Sequence, residues 1–475
     1  MTSSMLFLIA ALLGLGYAQV TTSNCDYKWI TQPIDHFGLT NGTFQQRYSI
    51  FDDFYKPGGP IMFFQGEESW YLDCANTTIM YEHAKQLGGL AVSLEHRYFG
   101  QSLPFGQDSH SPSNMKYLTL DNVMADAVSF IEHIKKTQNG ASESKAIIAS
   151  GSYGGFLAAA FRLNHPDPFF GSLASAGPVK SFSNSSDPET YNWWRWVNRV
   201  YLDRSKEASD KIKNSFNVLQ KRLASPEISN LKQELNLCST PSANDTAGNT
   251  QLVSALTNVY SFATEFNYPS LKPGRSPVAN PLDKIINITL EETDPIQVLN
   301  RTFWLWFGAP GETHAPCFNY TDPNFIRTGV PLIETAPFDY ITCTYIPLKS
   351  SNVPEGTIFP PLLTASDSQP QECQLLYGVT PMTQQEIDQR YHFSPDDIRN
   401  SSQIIWSNAE FDPTSAVSVD YLPLSTDPCA SRMILTSNMA HREDLFLPDP
   451  SDSETLTQLR NKEVQIFKEW LEFCQ

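Results

Sequence analysis

The chain has 475 residues, enough for a large domain carrying an insertion or for two domains. Its formal net charge is −18 and its pI is near 4.9, so it has no surplus of Lys or Arg to neutralise phosphates, which argues against a nucleic-acid partner. Hydrophobic residues make up 41% and aromatics 12%, which supports a sizeable core, while 33 prolines and 24 glycines divide the chain by many loops.

Residues 1–18 read as a secretory signal. Met5 to Leu15 is an apolar run too short to span a bilayer, and Gly16-Tyr17-Ala18 puts small residues at the cleavage positions, although the leading residues lack Lys and Arg. No later apolar run is long enough for a membrane span. Alternation over Thr43–Phe51 predicts an early antiparallel strand. Buried strands follow at 61–66 and 88–95, separated by a helix around 79–87. Apolar residues Val123, Ala127, Phe130, Ile131 and Ile134 share one face of a helix over 119–134. A strand enters Ser152, a helix spans 155–164 and a short strand spans 169–176. Strands alternating with helices in this way predict a largely parallel α/β sheet.

After Pro178 the character changes to aromatic, helix-rich sequence, through 202–223 and 251–266, with long polar loops. Strand signals return only at 402–407 and 432–436, before a last helix over 453–473. This predicts an α/β domain built from 25–179 and 396–475, with a mostly helical cap inserted at 180–395 over the carboxyl edge of the sheet.

Chemistry centres on Lys145-Ala-Ile-Ile-Ala-Ser-Gly-Ser152-Tyr-Gly-Gly-Phe-Leu-Ala-Ala-Ala160. A strand, a Ser flanked by glycines and a small-residue helix form the context of a nucleophile elbow, although Ser150 stands where the pattern has Gly. Taken alone the pentapeptide could equally be a Gly/Ser turn. A serine hydroxyl needs a base, and the base needs an acid, in the order Ser, acid, His for this fold. Five of the nine histidines (His36, His83, His96, His110 and His133) precede Ser152. His165, His314 and His392 fall in a helix end, in the insertion and before the acid's strand, which leaves His441 after a late strand. Ser407-Asn-Ala-Glu410-Phe-Asp412-Pro413 offers the acid, with Asp412 ahead of Glu410 because Pro413 fixes the turn behind it. The oxyanion donors expected are the backbone N–H groups of Tyr153 and Glu67. The carboxylates of Glu67 and Glu68 are candidates for a cationic substrate group, such as a free peptide N-terminus.

Eight cysteines in an exported chain predict disulfides, and no Cys-x-x-Cys spacing points to zinc. Nearest-neighbour pairing gives Cys25–Cys74, Cys238–Cys317, Cys343–Cys373 and Cys429–Cys474. Asn-x-Ser/Thr sequons at Asn41, Asn76, Asn184, Asn244, Asn287, Asn300, Asn319 and Asn400 predict glycosylation.

Several stretches resemble the S28 serine peptidases, the family of lysosomal Pro-X carboxypeptidase, dipeptidyl peptidase II and thymus-specific serine protease. They are Ile34-Asp-His-Phe37, Phe44-Gln-Gln-Arg-Tyr48, Glu95-His-Arg-Tyr-Phe-Gly-Gln-Ser-Leu-Pro-Phe105, Gly151-Ser-Tyr-Gly-Gly155, Asn408-Ala-Glu-Phe-Asp-Pro413 and Ala440-His441 with Asp444-Leu445. Tyr340-Ile-Thr-Cys-Thr344 and Cys373-Gln-Leu-Leu-Tyr-Gly378 extend the likeness into the insertion. The resemblance implies an α/β-hydrolase fold with a helical cap, cleavage after proline, Ser152, Asp412 and His441 as a triad, no metal or cofactor, peptide substrates and a homodimer. It leaves carboxypeptidase and dipeptidyl-peptidase action open, and secretion or lysosomal residence open too. The chain departs from the family pattern at Ser150 (usually Gly), at Thr414 (often Trp), at Gly66-Glu-Glu-Ser69 (often Gly-Asn-Glu-Gly) and at His441-Arg-Glu-Asp-Leu-Phe446 (usually His-His-x-Asp-Leu-Arg). An esterase or lipase of the same fold would use the same triad. A non-catalytic secreted binding protein is the remaining alternative, and the complete set of three residues argues against it.

Overall fold

Runs of five or six residues with no polar face become strands buried along their whole length: β3 (Ile61–Gln65), β4 (Leu90–Leu94), β5 (Ala146–Gly151), β6 (Gly171–Ser175) and β7 (Ile404–Ala409). Burial on both faces is the mark of a parallel sheet covered by helices. β1 (Lys28–Pro33), β2 (Thr43–Phe51) and β8 (Arg432–Thr436) complete an eight-stranded sheet in the order β1-β2-β4-β3-β5-β6-β7-β8. β2 is antiparallel to β1 and β4, and β4 through β8 run parallel. This is the α/β-hydrolase fold, with a helical insertion between β6 and β7. The chain leaves β3 outward to β4 and returns to its other side as β5, so a crevice opens at the carboxyl ends of β3 and β5. β1 was not foreseen. The computed structural model describes residues 25–180, 193–272, 275–308, 316–322, 335–346, 353–362 and 369–475; the expected signal 1–18 and Asn184 lie outside them.

The helix Tyr153–Asn164 is the centrepiece of the packing. Its run of alanines lets it lie against the sheet, where Ser172 Oγ donates to Ala158 O at 2.9 Å. Gly155 makes the closest approach: a Cβ there would lie 2.3 Å from Ser175 O, a backbone atom that cannot yield. The amphipathic helix Leu120–Thr137 buries the five predicted apolar residues and is capped by Thr119, whose side chain accepts from Asn122 N–H at 3.2 Å.

Three of the family-like stretches meet in one buried polar network at the β1–β2–β4 end of the sheet. Arg97 is fully buried and bidentate to Asp126, with Nε to Oδ2 at 2.6 Å and Nη2 to Oδ1 at 2.7 Å. Arg97 also donates to the carbonyls of Pro33, Ile34 and Tyr117. Asp126 accepts from His36 Nε2 at 2.8 Å, and Glu95 pairs with Arg47 and takes Ser102 Oγ at 2.7 Å. Burial alone would raise the Asp126 carboxyl, but Arg97 and His36 hold it below the usual carboxylate range. These residues join distant pieces of chain and hold no chemistry at Ser152.

The insertion has two parts. Helices Trp193–Arg204, Lys206–Leu223, Thr246–Glu265, Pro281–Glu291 and Pro295–Phe307 enclose a core of their own around Tyr201, Phe216, Tyr260 and Trp306. Ser205 divides the first two and caps the second, accepting from Ala208 N–H. The last two were not anticipated, although Pro281 and Pro295 occupy first-turn positions and Asp294 accepts from Ile296 N–H at 2.8 Å, a legible start signal. The second part, within 335–399, packs Tyr340, Tyr345, Ile387, Tyr391 and Phe393 into the sheet's core. Phe393 stacks on Phe156 of the elbow helix at 4.9 Å.

All four expected disulfides pair, Cys25–Cys74, Cys238–Cys317, Cys343–Cys373 and Cys429–Cys474. Among the described residues no helix is long and apolar enough to cross a membrane. Gly155→Ala should cost about 3 kcal/mol or more, because backbone must move to admit the methyl group. Asp126→Asn should cost about 3–5 kcal/mol by leaving Arg97 buried without its counter-charge. Denaturant unfolding midpoints check both.

Candidate active site

The turn between β5 and the helix Tyr153–Asn164 forces Ser152 to φ 58° and ψ −129°, a strained conformation for a residue with a Cβ. Its N–H is held by Ser175 O at 3.0 Å, and its carbonyl accepts from Phe156 N–H at 3.1 Å. Ser152 is partly exposed between two buried neighbours. The departure at Ser150 has a local explanation. Ser150 Oγ donates to Gln65 O at 2.7 Å and fills the space that a Cβ on Gly154 would enter, 2.0 Å away. A serine fits at 150 because 154 is glycine.

The acid and the histidine arrive on the loops after β7 and β8. Asp412 caps the turn Pro413–Ala416, with Oδ1 accepting from Thr414 N–H at 2.9 Å, and Oδ2 lies 2.7 Å from His441 Nδ1. Both residues are buried. Glu410 is not the partner: its Oε2 accepts from Asn438 N–H at 2.7 Å and its carbonyl takes Trp196 Nε1–H at 2.8 Å.

His441 is gripped by the insertion as well as by the sheet. Its N–H donates to Glu265 O at 2.8 Å, and its carbonyl accepts from Tyr268 Oη at 2.9 Å. Downstream, Asp444 takes Ser175 Oγ at 2.6 Å, and Arg460 holds the carbonyls of Glu443 and Asp444. Gly151, the residue before Ser152, carries Arg442 directly against it: a Cβ on Gly151 would meet Arg442 Cδ at 2.6 Å. The loop that bears His441 therefore lies on the elbow.

Glu67 reaches the site from the loop after β3. A Cβ on Gly154 would come within 3.3 Å of Glu67 Cβ, so the Glu67 backbone lies beside the helix N-terminus that begins with Tyr153 N–H. The Glu67 carboxylate is turned elsewhere. It pairs with Arg442 Nη1 and, at 3.4 Å, with Arg275 Nη2, so it is not free for a substrate amine. Glu68 is buried and its Oε2 has no hydrogen-bond partner among the described residues. Sequence reading missed Glu265, the last residue of the helix Thr246–Glu265; its carboxylate groups with ligand atoms of Asp412 and His441, all within 4.8 Å of one another. An acid ending a long helix opposes the macrodipole, which is the signal that could have marked it. The Tyr153 hydroxyl bonds His96 Nε2 at 3.0 Å and Tyr345 Oη at 2.7 Å, tying the elbow to the second part of the insertion.

Burial dominates the electrostatics. It pushes Glu67 up to about 7, Glu68 and Glu265 to about 8, Asp73 to about 6 and Glu443 to about 7. Burial alone would lower His441, but Asp412, bonded to it, and nearby Glu265 outweigh that and raise it.

The family described as "Serine carboxypeptidase S28" matches residues 32–463. The chain belongs to the S28 serine peptidases. Lysosomal Pro-X carboxypeptidase of Bos taurus is 28% identical over 457 residues, covering 94% of this chain and 87% of that protein. Prolyl carboxy peptidase like protein 5 of Caenorhabditis elegans is 27% identical over 462 residues, 93% of this chain and 89% of that protein. Thymus-specific serine protease of Mus musculus is 24% identical over 474 residues, 93% and 87%. The protein is a serine-type peptidase, spanning nearly the whole length of each relative.

The raised carboxyls give this peptidase a pH signature. Above about pH 4.5 the folded state holds protons on five acids that the unfolded chain has released, Asp73 to about 6, Glu67 and Glu443 to about 7, Glu68 and Glu265 to about 8, so stability falls as pH rises through that window. Burial lowers His83 to about 3 and His96 to about 4, an opposing contribution that is lost as pH drops below the unfolded histidine value but is outnumbered by the acids until they too are protonated in the unfolded chain. Thermal melts across pH 4–9 should therefore peak near about pH 5 and decline towards pH 8.

Proposed function

We propose that this S28 peptidase is an exopeptidase of the secretory pathway, lysosomal or secreted, that hydrolyses peptide bonds on the carboxyl side of proline through Ser152, Asp412 and His441. The observation that carries this reading is the buried hydrogen bond from His441 Nδ1 to Asp412 Oδ2, on a loop packed against the strained Ser152 elbow. Binding Nδ1 to the carboxylate leaves Nε2 as the face that takes the Ser152 proton. Ser152 Oγ then bonds to the carbonyl carbon of the substrate proline, and the negative oxygen is held by the backbone N–H groups of Tyr153 and Glu67. His441 returns the proton to the leaving nitrogen as the C–N bond breaks. Water, deprotonated by His441, then hydrolyses the acyl-enzyme and frees Ser152. No step calls for a metal or cofactor.

Proline specificity is supported by the names of the relatives, lysosomal Pro-X carboxypeptidase among them. The insertion, which grips His441 through Glu265 and Tyr268, would form the cap that admits only short or unstructured peptides. Export is supported by four disulfides and by sequons whose Asn is exposed at Asn41, Asn244, Asn287 and Asn400; Asn76, Asn300 and Asn319 are partly covered.

Ser152→Ala should abolish release of product from proline-containing peptides, and Asp412→Asn should lower kcat by about 10⁴-fold with the thermal melt retained. Cleavage at the wild-type rate by Ser152→Ala would refute the assignment. Faster turnover of p-nitrophenyl esters than of any proline-containing peptide would favour an esterase.

A further inference from the structure

Around Ser152 the acidic side chains outnumber the basic ones among the described residues. Among the described residues Arg275 and Arg442 are the guanidiniums that approach the site, and both are engaged by Glu67, with Asp73 beside Arg275. Asp412 balances a protonated His441. Glu68 and Glu265 are left, and neither takes part in a salt bridge among the described residues. Glu68 is 8% exposed, and its Oε2 is buried without a hydrogen-bond partner among the described residues. Such an atom forfeits solvation and receives nothing in return.

Both acids lie near the reacting groups. Glu265 lies with Asp412 and His441, and Glu68 acts electrostatically on His441, Glu265 and the Tyr153 that follows the nucleophile. Glu265 also ends a 20-residue helix, whose carboxyl terminus adds negative potential to its charge. Glu265 and its helix C-terminus lie at His441, and Glu68 follows Glu67, whose Cβ would lie 3.3 Å from a Cβ on Gly154 at the elbow. Burial and the neighbouring acids raise both carboxyls, as expected where a counter-charge is missing.

We propose that Glu68 and Glu265 are the subsite for a free α-ammonium group, so that substrates reach Ser152 by their amino terminus. This rests on Ser152 being the nucleophile. An ammonium supplies three donors and one positive charge, which fits the orphaned Glu68 oxygen and the Glu265 carboxylate together. A substrate carboxylate would meet two buried acids that gain nothing from it, with both nearby guanidiniums already bound to Glu67, whereas an ammonium would supply the counter-charge that lets them ionise. Two extended residues span about 7 Å, so an amine one or two residues before the scissile bond stays within the shell around His441.

The test compares Ala-Pro-aminomethylcoumarin, its N-acetyl form and benzyloxycarbonyl-Pro-Phe on the intact folded protein. The free amine should be preferred over the acetylated substrate by about tenfold or more in kcat/KM, with little phenylalanine released from the blocked dipeptide. In Glu68→Gln and in Glu265→Gln that ratio should fall towards one, mainly through KM, and Glu265→Asp should restore part of it. A thermal melt of each variant separates loss of the subsite from loss of the fold. Equal cleavage of free and acetylated substrates by the wild type, or efficient release of phenylalanine from benzyloxycarbonyl-Pro-Phe, would overturn the proposal. Labelling of Ser152 by a fluorophosphonate distinguishes the two failures. An unlabelled, inactive wild type would sink the nucleophile assignment, whereas a labelled enzyme indifferent to the amine would sink only the subsite.

Discussion

The structure around Ser152 depends on keeping Asp412 and His441 together in a dry place. Removing an acid and an imidazole from water is costly, and the pair persists only if the surrounding groups fix both partners. Thr414 N–H holds the second oxygen of Asp412, and Glu265 O and Tyr268 Oη hold the backbone of His441 on both sides. The last two come from the insertion, so the helices over the sheet position the histidine. Ser175 and Arg460 complete the hold from β6 and from the C-terminal helix Glu454–Phe473.

Departures from the family pattern become intelligible in the same terms. Ser150 fits because its hydroxyl bonds Gln65 O in space left by Gly154. Thr414 contributes its backbone N–H, which any residue but proline supplies. Arg442 replaces the second histidine of the usual motif and runs over Gly151 to Glu67, so the loop after β8 and the loop after β3 are joined by an ion pair beside the elbow. Phe446, where the family has arginine, packs edge-on against Tyr268 and beneath Arg275. Two cations and one acid are thereby consumed internally, which sets the charge left to the site.

Sequence likeness and chemistry separate at Glu95-His-Arg-Tyr-Phe-Gly. This run is among the most family-like in the chain, yet Arg97 and Glu95 serve a buried network that ties β1, β2 and β4 to the helix Leu120–Thr137. Motif strength alone could not tell a charge that holds the fold from one that faces a substrate. The deciding quantity is what each carboxylate touches: Asp126 is saturated by Arg97 and His36, whereas Glu68 carries an orphaned oxygen.

The sequence by itself determined the alternation of buried strands and helices from β2 onward on either side of the insertion, the elbow context of Ser152 and the order in which Ser152, Asp412 and His441 follow one another. Local pattern is enough for these: fully apolar runs read as buried strands and glycines mark the turn, whereas the nearest-neighbour cysteine pairs were one of many possible pairings until the fold brought them together. Tertiary structure alone decided that Glu67 is bound to two arginines, that Glu265 joins the site from more than a hundred residues away, and that the insertion divides between its own core and the sheet's. Those outcomes depend on which charges are desolvated together, and desolvation is a property of the packed molecule that no stretch of sequence displays.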